Sequence, residues 1–386
     1  MRAPGGRTLQ ARAALALLPP DRFLFRPDPA SLRLLRFGLG LSDEVPPELE
    51  TPAGPAAQFV PLAWNRLRRE GRGGRTPEPV RRLAARTTTR LAELGRLLAA
   101  LAGADLPVLL LKGLPLALYV YRDLSVRPMG DFDLLVPLER FPEARRVLEG
   151  LGFVPTLEAP PGMATAPGHV DHSLAYRRPG VLEVDLHYFA LDECRRPGAD
   201  DGFWARSVER VVMGAPARVP GRTDLFLHVL AHGYRVQRGA PRWAADAATM
   251  LLDPSEPVDW DLLVEETRRR RMVLPVSAAL RELRDRLGLP VPPGPLQHLE
   301  EAPMASWEPF DLWVRAATSL DGRARRFFLA LVDYLRYDER PTPKGFGDYL
   351  AARWAVEGGA RGLVWEVLRR AGSVLRGLPG RRAAEP

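Results

Sequence analysis

The segment RPMGDFDLLV, residues 127–136, places two aspartates one residue apart within an otherwise apolar run. Successive side chains of a β-strand point to opposite faces, so Asp131 and Asp133 share one face while Phe132 and Leu134 share the other. The apolar face disfavours a strand that is exposed on both sides. The segment therefore predicts a sheet strand with one buried face and a pair of carboxylates on the other.

The sequence around this strand alternates between strand and helix patterns. PVLLLKG (107–113) predicts a short buried strand that ends in a turn, and LPLALYVYRDL (114–124) predicts a helix. ERFPEARRVLEGLG (139–152) predicts a second helix, and HSLAYRR with VLEVDLHY (172–188) predicts a hairpin. This order is typical of an α/β core.

Helical patterns precede and follow this core. The stretch 80–102 has apolar residues at helical spacing, and from about residue 222 the strand patterns stop. The predicted fold class is α+β, with an α/β core between helical regions. We divide the chain into a helical N-terminal region (1–103), an α/β domain (104–215), a helical C-terminal domain (216–371) and a flexible tail (372–386).

Composition sets broad limits on the class of protein. The single cysteine, Cys194, excludes an internal disulfide framework and a cysteine-rich zinc module. No run approaches the roughly 20 apolar residues of a membrane span, and we expect a soluble, cytoplasmic protein. The net charge of +8 is compatible with a nucleic acid partner but does not favour one, because the arginine excess is spread along the chain and indicates a GC-rich genome.

The paired aspartates predict a metal site. Two carboxylates this close repel each other unless a cation lies between them, and oxygen ligands suit Mg²⁺ or Mn²⁺. In LEVDLHY, alternation places Asp185 on the same face as His187, and a neighbouring strand that carries Asp185 would supply a third carboxylate. Three acids fit a site with two ions that clamp a phosphoryl group during transfer.

The turn Lys112-Gly113 adds a candidate phosphate site. It follows a predicted strand and precedes a predicted helix, where free backbone N–H groups and the helix dipole favour an anion. Glycine lets a phosphate approach the backbone closely, and Lys112 adds a positive charge. Arg127 lies just before the acid pair and is a further candidate for nucleotide binding.

These motifs resemble the uncharacterised nucleotidyltransferase family of the DNA polymerase β-like superfamily. The likeness lies in LLLKGLPLALYVY, in the arginine followed by PMGDFDLLV, in VLEVDLHY, and in the later HVLAHGYR and RWAADAATML. It extends from about Phe59 to about Leu263. One departure is the turn before the acid pair, where the superfamily has Gly-Gly or Gly-Ser and this chain has Lys112-Gly113.

The resemblance implies a small mixed sheet flanked by helices, and metal-dependent transfer of a nucleoside monophosphate from an NTP with release of pyrophosphate. It implies that Asp131 and Asp133 are paired metal ligands. Asp185 would be the third ligand and would help to deprotonate the acceptor hydroxyl. ATP is the expected nucleotide by default, together with two Mg²⁺ or Mn²⁺ ions, and the expected acceptor is an unidentified small molecule or protein.

Several other residues are secondary candidates. His187 lies two residues from Asp185 on the same predicted face, and Arg242 and Asp246 lie on a helix that the resemblance places near the cleft. Arg242 and Asp246 are four residues apart and are compatible with a simple ion pair on the helix surface. His228 and His232 share a helix face, where packing or a hydrogen bond is favoured over zinc binding. His169 and His172 follow a Gly/Pro-rich loop and are candidates for substrate contact.

Two alternative functions remain open at this stage. A D-x-D glycosyltransferase would hold Mn²⁺ against a nucleotide-sugar diphosphate, but it needs neither the Lys-Gly turn nor the third acid. A non-catalytic nucleotide-binding partner protein would have no use for three carboxylates that repel one another. The order Lys-Gly, D-x-D and strand aspartate therefore favours a nucleotidyltransferase.

Overall fold

The computed structural model describes residues 10–17, 27–156, 172–178, 182–235, 242–305, 307–316, 322–336 and 345–353. Its seven strands are β1 (Leu109–Leu111), β2 (Phe132–Leu135), β3 (Val154–Pro155), β4 (Ser173–Arg178), β5 (Leu182–His187), β6 (Val208–Val212) and β7 (Ala215–Val219). They form one sheet in the order β3-β4-β5-β2-β1-β7-β6. The predicted mixed sheet is confirmed.

Helices precede the strands in the chain, lie between them and follow them. The N-terminal ones are α1 (Ala11–Leu17), α2 (Pro29–Gly38), α3 (Val60–Arg69) and α4 (Glu78–Gly103), and those between strands are α5 (Gly113–Pro115), α6 (Phe141–Gly150) and α7 (Asp201–Arg206). The C-terminal ones are α8 (Arg222–Arg235), α9 (Arg242–Leu252), α10 (Trp260–Arg269), α11 (Val273–Leu287), α12 (Pro293–Glu300), α13 (Glu308–Ala316), α14 (Gly322–Arg336) and α15 (Phe346–Arg353). The predicted tail at 372–386 lies outside the described residues. No helix in the described part of the chain is long and apolar enough to cross a bilayer.

The centre of the sheet mixes parallel and antiparallel pairs. β2 pairs antiparallel with β1 and parallel with β5, and β1 pairs parallel with β7. β4 and β5 form the predicted antiparallel hairpin. A second hairpin, β6–β7, was not predicted, and its strand β7 continues the sheet past residue 215.

The two faces of the sheet contact different helices. Leu110, Phe132, Leu134, Val184 and Leu186 belong to one buried cluster together with apolar residues of α4 and α6. The neighbouring positions Leu109, Leu111 and Leu135 belong to another buried cluster with residues of α2, α3 and α8–α11. Because side chains alternate along a strand, the acids of β2 and β5 point toward the second set of helices.

The approach of α8 to α9 depends on a glycine. A Cβ at Gly233 would overlap the ring of Trp243, so the helices reach this separation only because position 233 has no side chain. Trp243 is buried at the start of α9. This packing fixes the beginning of α9 beside the acid-bearing face of the sheet.

Candidate active site

Asp133 and Asp185 lie side by side on adjacent strands. Their Cα atoms are direct partners in the parallel pair of β2 and β5, so both side chains project from the same face of the sheet. Asp133 is buried, whereas the Asp185 side chain is 25% exposed. The sequence predicts that a neighbouring strand brings a third acid to the face that carries Asp133, and the pairing of β2 with β5 gives this arrangement.

Lys112 is the cation closest to these carboxylates. Its Nζ lies 2.5 Å from Asp133 Oδ1 and 4.0 Å from Asp185 Oδ2. The residue follows β1 directly and has φ 50° and ψ −113°, a backbone conformation that is unfavourable for a residue with a Cβ. The ion pair with Asp133 contributes to holding the turn in this conformation.

His187 contacts Asp133 from the end of β5. Its Nε2 lies 3.0 Å from Asp133 Oδ1 and its Nδ1 lies 3.2 Å from the Phe189 carbonyl oxygen. Both of these oxygens are hydrogen-bond acceptors, and a neutral imidazole has one N–H to donate. The hydrogen bond to the carboxylate is the stronger of the two. Burial and the positive charge of Lys112 lower the pKa of His187 to about 4. His187 is therefore neutral near pH 7 and orients the Asp133 carboxylate.

The carboxylates outnumber the cations at this site. Burial and the charge of Asp133 raise the pKa of Asp185 to about 6, and the same two causes raise the pKa of Asp131. Burial acts in the same direction on Asp133, but the Lys112 charge and the His187 hydrogen bond outweigh it and lower the pKa of Asp133. Asp133 thus stays ionised, and its negative charge repels the carboxylates of Asp131 and Asp185.

This donor set fits a divalent metal ion. One ligand atom from each of Asp133, Asp185 and His187 lies within 4.8 Å of the others. Carboxylate oxygens are the ligands that Mg²⁺ and Mn²⁺ prefer, and a cation would relieve the repulsion between the acids. Asp131 precedes β2 and does not belong to this group, although alternation predicted it within the strand.

A cleft of about 380 Å³ opens beside the acids. Segments from three parts of the chain line it, namely Gln58 from the N-terminal region, the sheet-side residues Lys112, Gly113, Arg127, Met129, Gly130, Asp131 and Asp133, and His232, Arg242, Trp243 and Asp246 from the helical region that follows. Seven residues predicted from the sequence therefore share one cavity, namely Lys112, Gly113, Arg127, Asp131, Asp133, Arg242 and Asp246. Asp185 does not line this cavity.

Arg127 is engaged in a buried ion pair. Its Nε and Nη2 each donate to one carboxylate oxygen of Asp246 at 2.9 Å, and Tyr121 Oη donates to Asp246 Oδ1 at 2.9 Å. Two donors to one carboxylate give a rigid, strong contact between the sheet side and α9. Asp246 thus pairs with Arg127, and the interpretation of Arg242 and Asp246 as an ion pair on the helix surface is wrong.

Gly113 makes room for this arginine. A Cβ at position 113 would lie 2.6 Å from Arg127 Nη1 and 3.0 Å from Met129 Cγ. The left-handed backbone of the turn belongs to Lys112, so the contribution of Gly113 is the space that its missing side chain leaves for Arg127 and Met129. The use of Gly113 for close approach of a phosphate stays a prediction.

The remaining histidines have separate surroundings. His228 is buried, and its Nε2 lies 3.0 Å from the Ala190 carbonyl oxygen, which agrees with the expected hydrogen bond to the α/β domain. His172 Nδ1 lies 3.3 Å from Asp192, and its ring contacts the ring of His187 edge to face at 5.0 Å. His169 lies outside the described residues.

Sequence reasoning missed three residues around the cleft. Gln58 accepts a hydrogen bond from Arg242, Tyr121 donates to Asp246, and Met129 lines the cavity beside Gly113. Gln58 is separated from Arg242 by more than 180 residues, so no local pattern connects them. Tyr121 lies within the quoted segment LLLKGLPLALYVY and Met129 within RPMGDFDLLV, so these two residues had a signal in the sequence.

Comparison with known proteins gives a family. Residues 55–288 match the family model described as an uncharacterised nucleotidyltransferase. The solution structure of the antibiotic-resistance factor ANT(2'')-Ia has 18% sequence identity, covers 52% of this chain and 95% of its own, and gives a TM-score of 0.30. The crystal structure of an antigenic nucleotidyltransferase-like protein from Paracoccidioides brasiliensis has 15% identity, covers 57% of this chain and 96% of its own, and gives a TM-score of 0.35. No curated protein matches the chain.

The family match covers more than half of the 386 residues. It includes every described strand of the sheet, the acid cluster and all residues that line the cleft. It favours transfer of a nucleoside monophosphate over the glycosyl-transfer and non-catalytic alternatives. The chain is a nucleotidyltransferase and belongs to this uncharacterised nucleotidyltransferase family.

Proposed function

We propose that the protein transfers a nucleoside monophosphate from an NTP to a hydroxyl group of a small-molecule or protein acceptor, with divalent metal ions at the acid cluster. The observation that carries this proposal is the pairing of Asp133 with Asp185 in register on adjacent parallel strands. With Asp131 they present three carboxylates beside a single lysine. Such an excess of negative charge suits a site that binds cations together with a triphosphate.

Each acid has a proposed role. Asp133 and Asp185 hold the ions, and Asp131 completes the ligand set from the mouth of the cleft. Mg²⁺ or Mn²⁺, when bound, would neutralise phosphate charge and lower the pKa of the acceptor hydroxyl. Asp185 accepts the proton of that hydroxyl while the acceptor oxygen bonds to the α-phosphorus. The bond from the α-phosphorus to the bridging oxygen breaks, and its electron pair leaves with pyrophosphate.

The basic residues prepare the site. Lys112 compensates the charge of Asp133 and lies in the cleft, where its ammonium group is available to a phosphate oxygen. Arg127 is a positioning residue, because its pair with Asp246 connects the sheet side to α9. His187 holds the Asp133 carboxylate in one orientation. We propose ATP as the first nucleotide to test.

The test is pyrophosphate release with labelled NTPs. The protein is incubated with each NTP, with Mg²⁺ or Mn²⁺ and with pools of hydroxyl-bearing acceptors, and the labelled products are separated. Asp131→Asn combined with Asp133→Asn should abolish both pyrophosphate release and labelling. Asp261→Asn, the same chemical change at an exposed position on α10, should leave both unchanged. Transfer that survives the double substitution would refute the proposed site.

A further inference from the structure

A cation on the wall of the cleft has no carboxylate partner among the described residues. Arg242 donates from Nε to Gln58 Oε1 at 3.1 Å and from Nη1 to the Pro128 carbonyl oxygen at 2.8 Å. Both acceptors are neutral, and a guanidinium stays charged at any pH at which the protein is folded. The positive charge of Arg242 is therefore held in a fixed orientation without being neutralised.

The nearest acid on the same helix is already engaged. Asp246, one helical turn further along α9, accepts two hydrogen bonds from Arg127 and one from Tyr121. Burial and the neighbouring charge of Arg127 lower the pKa of Arg242. Both effects make the charged guanidinium costly in this position, and a bound anion would offset that cost.

The stability of α9 does not account for this arginine. Arg242 is the first residue of the helix, where the positive end of the helix dipole disfavours a cation. Its third nitrogen, Nη2, has no hydrogen-bond partner in the part of the chain that the structure describes. Arg242 shares the cleft with Lys112, Asp131 and Asp133, so its charge faces the place proposed for the nucleotide.

We propose that Arg242 binds the β- and γ-phosphates of the NTP and so holds the pyrophosphate leaving group. This inference rests on the proposed function, because it assigns one part of the same cleft. When the bond between the α-phosphorus and the bridging oxygen breaks, negative charge increases on pyrophosphate. A guanidinium that Gln58 and Pro128 already orient stabilises this charge without first having to reorganise.

The test measures binding of inorganic tripolyphosphate in the presence of Mg²⁺ by isothermal titration calorimetry. Arg242→Gln should weaken binding by at least about tenfold, since it removes charge-assisted hydrogen bonds, and Arg242→Lys should recover part of the loss. The matched control is Arg284→Gln, which removes the same charge from α11, where the side chain pairs with the adjacent Asp285. It should bind like the wild type. Unchanged affinity in a folded Arg242→Gln variant would overturn the inference.

A second measurement uses the wild-type protein and does not depend on the folding of a variant. Phenylglyoxal modifies arginines, and mass spectrometry gives the rate at Arg242 with and without tripolyphosphate. We expect tripolyphosphate to slow modification of Arg242 severalfold and to leave Arg284 unaffected. Equal rates at Arg242 would also overturn the inference.

The two proposals fail in different ways. If the protein binds tripolyphosphate through Arg242 but transfers no nucleotide, the proposed function fails and the anion site stands. If the wild type transfers a nucleotide and Arg242→Gln keeps the KM for the NTP and the kcat of the wild type, the assignment of Arg242 fails while the proposed function stands.

Discussion

Two clusters of charge in this protein have three carboxylates each but different numbers of cations. Where α7 meets α8 and α10, Asp200, Asp224 and Glu266 contact Arg206, Arg269 and Arg270, and the equal numbers of opposite charges make this the balanced cluster. At the sheet, the unbalanced cluster consists of Asp131, Asp133 and Asp185. Its nearby cation is Lys112, and its histidine, His187, is neutral near pH 7.

The carboxylates of the balanced cluster are all paired with arginines of the protein. Arg206 donates from two nitrogens to Asp224 at 2.6 and 2.8 Å, and Arg269 and Arg270 donate to Glu266 at 2.8 and 3.1 Å. Among the described residues, Lys112 is the cation paired with the cluster at the sheet, and its Nζ lies 2.5 Å from Asp133 Oδ1 but 4.0 Å from Asp185 Oδ2. We infer that the first stabilises the fold, whereas the second keeps an affinity for cations that come from solution.

The largest expected effect is on catalysis at the unbalanced cluster. Asp185→Asn should lower kcat about 10²- to 10⁴-fold, because it removes the proposed base and a metal ligand. The melting temperature should not fall, since the substitution removes a charge that repels Asp133. Steady-state kinetics and thermal unfolding of the metal-free protein check both expectations. A variant that unfolds at a much lower temperature would indicate that Asp185 is mainly structural.

Replacing a carboxylate of the balanced cluster by an amide should lower stability instead of kcat. Glu266→Gln weakens contacts with three arginines in a buried setting and should lower the free energy of unfolding by about 3 kcal/mol. Urea unfolding measures this loss. Glu256→Gln removes an exposed carboxylate that pairs with Arg222 and should cost less than about 1 kcal/mol. At temperatures where it is folded, Glu266→Gln should keep the kcat of the wild type.

Added metal ions should stabilise the protein through the unbalanced cluster and not through the balanced one. At one hundred times its Kd, Mg²⁺ or Mn²⁺ should stabilise the wild type by about 2.7 kcal/mol, and EDTA should reverse the effect. Glu266→Gln should gain the same increment, while Asp133→Asn should gain little. Thermal unfolding at several metal concentrations gives these values. An equal increment in Asp133→Asn would place the bound ions elsewhere.

The sequence predicts the unbalanced cluster better than its surroundings. Strand alternation indicates that Asp133 and Asp185 each project from a polar face, and the fold brings those faces together in register. The pair of Arg127 with Asp246 joins residues 119 positions apart, so only the tertiary structure reveals it. The hairpin β6–β7 escaped prediction because the edge strand β6 is mostly exposed and lacks an apolar face.

The smallest expected effect is the response of the balanced cluster to acid. Burial raises the pKa of Glu266, but hydrogen bonds and charges of Arg269 and Arg270 outweigh burial, so its folded pKa lies below the ordinary value of 4.5. The unfolded state therefore takes up this proton first. The stability that Glu266 contributes is present above about pH 4.5 and is lost as the pH falls through the folded pKa.

Burial raises the pKa of Asp200 and Asp224, and their arginine partners only partly offset this effect. The stability that these two acids contribute therefore changes with pH in the opposite direction. Their contribution to stability is present below the ordinary value of 3.8 and is lost as the pH rises through the folded pKa. The difference between the wild type and Glu266→Gln removes most of these two terms, because the charge of Glu266 is a minor cause of the raised pKa of Asp224. Urea unfolding of both proteins from pH 6 to pH 3 should show a difference in the free energy of unfolding that is constant above about pH 4.5 and shrinks below it. A difference that stays constant down to pH 3 would mean that the arginines do not depress the pKa of Glu266, and the balanced cluster would then not account for the stability assigned to it.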